Sequence, residues 1–279
     1  MRQTAAQQFW SALSRVALWI WVLLAMVPLV WMVTTSIKPE GYAQTIPPTW
    51  RFEPTLQHYV DVLQGASVTP FGPLLLHSMI VAVGSTALAL VLGLLAAYAL
   101  ARLNFRGKRQ LAMWILSTLM FPPVVAVIPV FIMAGRFQLI DKYPTLIVPY
   151  AAFNLPLVIW VLRSSIRQIP EEIEDAARVD GASQLEIISR IVLPLAAPGI
   201  ATAGILSMLL AWNEFLFALT LTRSSVKTAP VGISEFTGMF GTQWGSLSAA
   251  ATTIVAPVVL MALLLRRHLI EGLTLGAVK

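Results

Sequence analysis

Long apolar runs separated by short polar clusters dominate this chain. Six stretches have the length a helix needs to cross a hydrocarbon core, about 17–25 residues. They cover residues 16–35, 76–100, 111–134, 146–162, 199–221 and 247–265. Each reads as a membrane-spanning helix. Between them lie outer segments 36–75 and 222–246, an inner segment 163–198 and a tail 266–279. The first run follows Arg2 and Arg15 but is too long for a signal-peptide core and lacks a small-residue cleavage site, so it reads as a retained anchor. The pattern predicts an all-α integral membrane protein with six transmembrane helices in a single domain, residues 1–279.

Basic residues set the orientation. With the N-terminus inside, the inner segments hold Arg2, Arg15, Arg102, Arg106, Lys108, Arg109, Arg163, Arg167, Arg178, Arg190, Arg266, Arg267 and Lys279. The outer segments hold only Lys38, Arg51, Arg136, Lys142, Arg223 and Lys227. The positive-inside rule therefore places both termini in the cytoplasm.

Composition agrees and excludes much else. Charged residues make up 11% of 279 and hydrophobic residues 57%, which is too little polar surface to dress a soluble core. There is no cysteine, so thiol chemistry and disulfide scaffolds are excluded. The net charge of +6 is spread in short groups at span ends, a topology signal and not a nucleic-acid-binding face. His58, His77 and His268 lie too far apart in sequence for metal-ligand spacing, and no Ser/His/Asp constellation is apparent.

Within the spans, Ala89, Gly93, Ala97 and Ala101 repeat at the interval that lets another helix approach closely. Pro122, Pro123 and Pro129 predict a kinked third span facing protein or water. Pro47, Pro48, Pro54, Pro70 and Pro73, with Trp50, Phe52 and Tyr59, predict a partly ordered outer cap with a short helix near residues 56–63.

The inner segment RSSIRQIPEEIEDAARVDGASQLEIISRIVLPLAAP is the most informative. It reads as two short helices. Pro170 and the acidic residues after it suit a helix start, and Ile173, Ala176 and Ala177 form a narrow apolar face. Gly181 is placed to end that helix in a left-handed conformation. Ser183 and Glu186 have capping-box spacing, and Leu185, Ile188 and Val192 share a face of the second helix. Such a pair is either a stabilised connection or a unit that docks into a groove of another protein.

EIEDAARVDGAS followed by ISRIVLPLAAP resembles the EAA loop of inner-membrane permeases of binding-protein-dependent ABC importers. TTSIKPE, PPTWRFEPTLQHY, AAYALARLNFRGKR, AWNEFLFALTLT and GLTLGAVK are similar to the carbohydrate-uptake group, which includes the second permease of the maltose transporter. The resemblance implies a type I importer permease fold and transport by alternating access. It implies as partners a second permease, an ATPase dimer, an extracytoplasmic substrate-binding protein and the lipid bilayer. It assigns ATPase coupling to Glu174, Asp175, Ala176, Ala177, Asp180, Gly181, Ala182, Leu193 and Pro194, with Asp175 standing where the family usually has glutamate. It puts Phe236, Phe240 and Trp244 against the binding protein, and the tail residues Gly272, Leu273, Thr274 and Lys279 against the ATPase. No G-x-x-x-x-G-K-[ST] motif occurs, because Gly107-Lys108-Arg109 lacks the upstream glycine and the hydroxyl residue. ATP is thus expected on partner subunits, and no cofactor or metal on this one.

Glu214 is the one formal charge inside a predicted span and is a functional candidate on that ground. With Trp212, Asn213 and Asn154 it either lines a sugar pathway or bonds to a neighbouring helix. Two alternatives to sugar import stay open at this stage. One is a permease for glycerophosphodiesters or other polyols, and the other a proton-coupled secondary transporter that titrates Glu214.

Overall fold

The computed structural model describes residues 5–65, 69–238 and 241–274. The chain divides into two compact units: Met1–Phe71 with Ile233–Val255, and Gly72–Gly232 with Ala256–Lys279.

In the first unit, α1 (Ala5–Ser36) carries apolar residues all round, and an 18-residue window within Trp10–Ser36 has a mean hydropathy of 2.4 with none of it buried. A helix exposed and apolar on every side is one whose solvent is lipid. After it come α2 (Glu40–Ala43) and α3 (Gln57–Gln64), the latter closed by Gly65 at φ 73°. The expected outer-cap helix is therefore present. Ser36 Oγ and Tyr59 Oη share a 2.7 Å hydrogen bond, and His58 Nε2 donates to the Lys38 carbonyl at 2.7 Å. These bonds fasten α3 to the end of α1. A two-residue ladder pairs β1 (Thr237–Gly238) with β2 (Gly241–Thr242), and α14 (Trp244–Thr274) begins here.

The second unit is built on α4 (Phe71–Arg102), α7 (Tyr143–Ile166) and α11 (Ala197–Trp212). Small residues let them touch. Ala89 and Ala97 are fully buried, and a Cβ added at Gly93 would come within 2.6 Å of Val158 on α7. Asn154 Nδ2 of α7 donates to the Ser207 carbonyl of α11 at 3.1 Å.

Two expected spans are broken, not continuous. The third consists of α5 (Lys108–Thr118) and α6 (Pro123–Arg136), bent by 91° at residues 119–122. Pro122 and Pro123 remove two backbone donors there, so the kink expected from the prolines is a full break. In the fifth, α11 stops at Trp212 and α12 (Leu216–Leu221) restarts after Asn213, Glu214 and Phe215. Four helices are individually long and apolar enough to cross a membrane, and up to six spans result if α5 with α6, and the stretch Gln184–Leu195 with α11 (bent by 78°), each count as one.

The inner segment folds as α8 (Glu171–Val179), α9 (Gln184–Ile187), a π-helical stretch Ile188–Val192 and α10 (Leu193–Leu195). The outer segment after α12 contains α13 (Ala229–Ile233) and the 3₁₀ turn Ser234–Phe236. α14 stays helical through Thr274, so Gly272, Leu273 and Thr274, expected in a tail, lie in a helix; Lys279 lies outside the described residues.

Candidate functional site

The inner helix pair takes its shape from two sequence signals. Gly181 sits at φ 87° with open space around it, and Asp180, Gly181 and Ala182 donate back to the carbonyls of Ala176, Arg178 and Ala177. Only a residue without a Cβ adopts that conformation freely. Ser183 and Glu186 then form the reciprocal capping box that starts α9.

The buried face differs from the one read in the sequence. Ile173 and Ala176 are exposed, and Glu174 is fully buried. Its carboxylate is accommodated because α4 supplies the partners: Arg102 Nε donates to Oε1 at 2.7 Å and Tyr98 Oη donates to Oε2 at 2.8 Å. Arg102 Nη2 also donates to the carbonyls of Ile166 (2.9 Å) and Ile169 (2.6 Å), at the end of α7. Arg178 approaches Glu174 Oε2 at 3.6 Å, and Gln184 Nε2 donates to Tyr98 Oη. In the second helix Leu185 is exposed, Ile188 half-buried, and Ile187 and Val192 buried; the π-helical stretch Ile188–Val192 widens the turn, so residues five apart share its inner face.

The expected coupling residues therefore separate. Glu174 faces inward, whereas Asp175, Ala176, Asp180, Gly181, Leu193 and Pro194 are exposed and Ala177 and Ala182 half-buried. Asp175 pairs with Arg178 on the exposed side. Val179 joins this outward surface at 87% exposure, an apolar tip flanked by carboxylates.

A second feature sits where the two broken spans meet α7. A cavity of about 300 Å³ is lined by Thr118, Phe121, Tyr150, Phe153, Asn154, Glu214 and Phe217, among others. Phe153 lies between Phe121 (ring centres 6.5 Å apart) and Phe217 (5.3 Å). Glu214 accepts the backbone N–H groups of Phe217 (3.0 Å) and Ala218 (3.3 Å), capping α12 with its carboxylate. Tyr150 Oη is buried and faces Glu214 without meeting it in hydrogen-bond geometry. Of the expected pathway residues the structure brings Asn154 and Glu214 together here. It leaves out Trp212, which is buried elsewhere, and Asn213, which donates to the Leu209 carbonyl. Tyr150, Phe121 and Phe153 carried no motif to mark them, and Phe217 lies within AWNEFLFALTLT without being singled out by it.

Of the residues expected against the binding protein, Phe236 is buried against Phe71, with ring centres 6.3 Å apart, Trp244 is exposed, and Phe240 lies outside the described residues. Asp141, between α6 and α7, accepts the backbone N–H groups of Arg223 (3.0 Å), Ser224 (3.2 Å), Ser225 (2.9 Å) and Val226 (3.2 Å). Partial burial pushes its carboxyl up, but these four bonds outweigh that and hold it well below the usual carboxylate range. No group of His, Cys, Asp and Glu fit to hold a metal occurs among the described residues.

The chain is 40% identical to the trehalose transport system permease protein SugB of Mycobacterium tuberculosis, over 91% of this chain and 93% of that one. It is 36% identical to the sulfoquinovosyl glycerol transport system permease protein SmoH of Agrobacterium fabrum, over 90% and 88%. Its fold matches a chain of a bacterial ABC transporter involved in the import of the acidic polysaccharide alginate, with a TM-score of 0.79 and 20% identity over 96% of this chain and 99% of that one. Residues 89–274 match the family described as binding-protein-dependent transport system inner membrane component, and the chain belongs to that family.

Proposed function

We propose that this chain is one of two permease subunits of an ABC importer for a glycoside of di- or oligosaccharide size. The observation that carries this reading is the helix pair α8–α9, turned at Gly181 and presenting Asp175, Val179 and Asp180 outward from a multi-pass inner-membrane protein. In this reading both termini are cytoplasmic, and the pair docks on a separate ATPase dimer that binds and hydrolyses ATP. This chain performs no chemistry itself.

The breaks in the third and fifth spans support a partner permease. The chain leaves its helices at residues 119–122 and 213–215, and backbone polar groups without a helical partner there need protein or water beside them, because lipid offers no hydrogen bonds. Sugar would pass along the surface that carries Asn154 and Glu214, where aromatic rings and polar groups adjoin as carbohydrate faces require. Trehalose and sulfoquinovosyl glycerol, named for two of the relatives, are both glycosides; the glycerol of the second keeps a polyol cargo as the competing reading.

The test is reconstitution with the partner permease, ATPase and binding protein. Gly181→Trp abolishes substrate-stimulated ATP hydrolysis on this reading, and undiminished hydrolysis overturns it. Thermal shift of the binding protein against disaccharides, monosaccharides and glycerophosphodiesters sorts the cargo. A shift with amino acids alone excludes the sugar assignment.

A further inference from the structure

Glu174 is a buried carboxylate within a surface otherwise suited to docking, and the docking role leaves it unexplained. We infer that the Arg102–Glu174–Tyr98 cluster is the clasp that makes α4 move with the cytoplasmic helix pair, so that Glu174 is a positioning residue for transport coupling and not a contact to the ATPase.

The geometry argues this in three steps. First, the covalent links from α8 to the spans are weak levers: a turn at residues 167–170 on one side, and the π-helical stretch with a 78° bend before α11 on the other. Second, Arg102 braces the first of those turns and α8 at once. Its guanidinium holds the Ile166 and Ile169 carbonyls and the Glu174 carboxylate, while Glu171 lies 3.4 Å from Nη1. Tyr98, one turn earlier on α4, bonds Glu174 and receives Gln184 of α9, so both helices of the pair are tied to one span.

Third, the pair is desolvated. The Arg102 and Glu174 side chains are 5% and 1% exposed. Pulling Arg102 from Glu174 breaks a 2.7 Å contact between two buried opposite charges and leaves Glu174 only Tyr98 and the half-exposed Arg178, so the bond stays closed while its surroundings shift. A push on the outer face of α8 is then delivered to α4, and through the close approach at Gly93 to α7. Arg178 is the other cation facing Glu174, and at 42% exposure it stays in contact with water.

Given the coupling role proposed above, the measurement is sugar moved per ATP hydrolysed by the reconstituted complex. Glu174→Gln lowers that ratio about tenfold in assembled complex, with ATP hydrolysis retained and less dependent on binding protein. Tyr98→Phe lowers it about twofold. Glu172→Gln, an equal loss of charge at an exposed position of α8, leaves it unchanged. An unaltered ratio in assembled Glu174→Gln complex overturns the inference, as does activity that falls only in proportion to assembly. Where Glu174→Gln does not assemble, Tyr98→Phe decides, and a normal ratio there overturns it. A complex of the unaltered chain that shows no ATP-driven uptake refutes the importer reading instead.

Discussion

The Lys38 ammonium lies 4.9 Å from the centre of the Trp31 ring. Trp50 and Phe52 close the box at 5.6 and 5.5 Å, and the lysine is 1% exposed. Aromatic faces take the place of a carboxylate, and cation–π attraction of about 2 kcal/mol offsets part of the cost of desolvating the charge. The aliphatic stem fills the remaining space. Lys38→Met, which keeps the stem and removes both the charge and its desolvation cost, is expected to change stability by less than about 1.5 kcal/mol. Lys38→Ala leaves a cavity and costs about 2–4 kcal/mol. Thermal unfolding of the purified complex in detergent distinguishes them, and equal losses for both would show that the charge dominates.

Gly93 packs α4 onto α7 with no room for a side chain, since an added Cβ would lie 2.6 Å from Val158. Gly93→Leu is expected to cost about 1–3 kcal/mol by overpacking and to lower the yield of folded protein. Gly135, where a Cβ meets nothing, tolerates Ala without loss. A two-point comparison of melting temperatures checks the contrast.

These two sites differ in how far the sequence revealed them. The small-residue period at Ala89, Gly93 and Ala97 is local and marks a contact surface without naming the helix that meets it. Gly181 and the Ser183–Glu186 box were equally legible, because the signal and the structure lie within four residues. The pairing of Arg102 with Glu174 was not legible. It joins positions 72 apart in the chain, and the basic group at the end of the second span already had a sufficient explanation in topology. The same holds for Tyr150 and Phe217, which approach Glu214 and Phe153 through tertiary packing. Trp212, adjacent in sequence to the break, is the last residue of α11 and is buried away from the cavity lining.

Asp141 gives the outer segment a pH dependence of defined sign. Its folded-state carboxyl is held below the unfolded value by four backbone donors. The stabilisation is therefore complete above the unfolded value, about 4, and is lost as pH falls below it toward the folded value. Asp141→Asn removes the negative charge at neutral pH, lowers the melting temperature there and flattens its decline between about pH 5 and pH 3. Melting curves of the two proteins across that range test this, and parallel curves would assign the acid sensitivity to other groups.

Glu214 separates the importer from a proton-driven carrier. Its two oxygens already accept the N–H groups of Phe217 and Ala218, a helix-capping task that a neutral amide oxygen also performs in part. Glu214→Gln is expected to retain ATP-driven uptake, with a loss of stability of about 1 kcal/mol, and Glu214→Ala to lose more because both donors are left without an acceptor. A carrier that titrates this carboxylate would behave oppositely. The glutamine variant would lose uptake entirely, and uptake by the unaltered protein would collapse with the proton gradient while ATP remained. Measuring uptake in proteoliposomes with ATP inside and a protonophore present decides between them, because capping is indifferent to the gradient and titration is not.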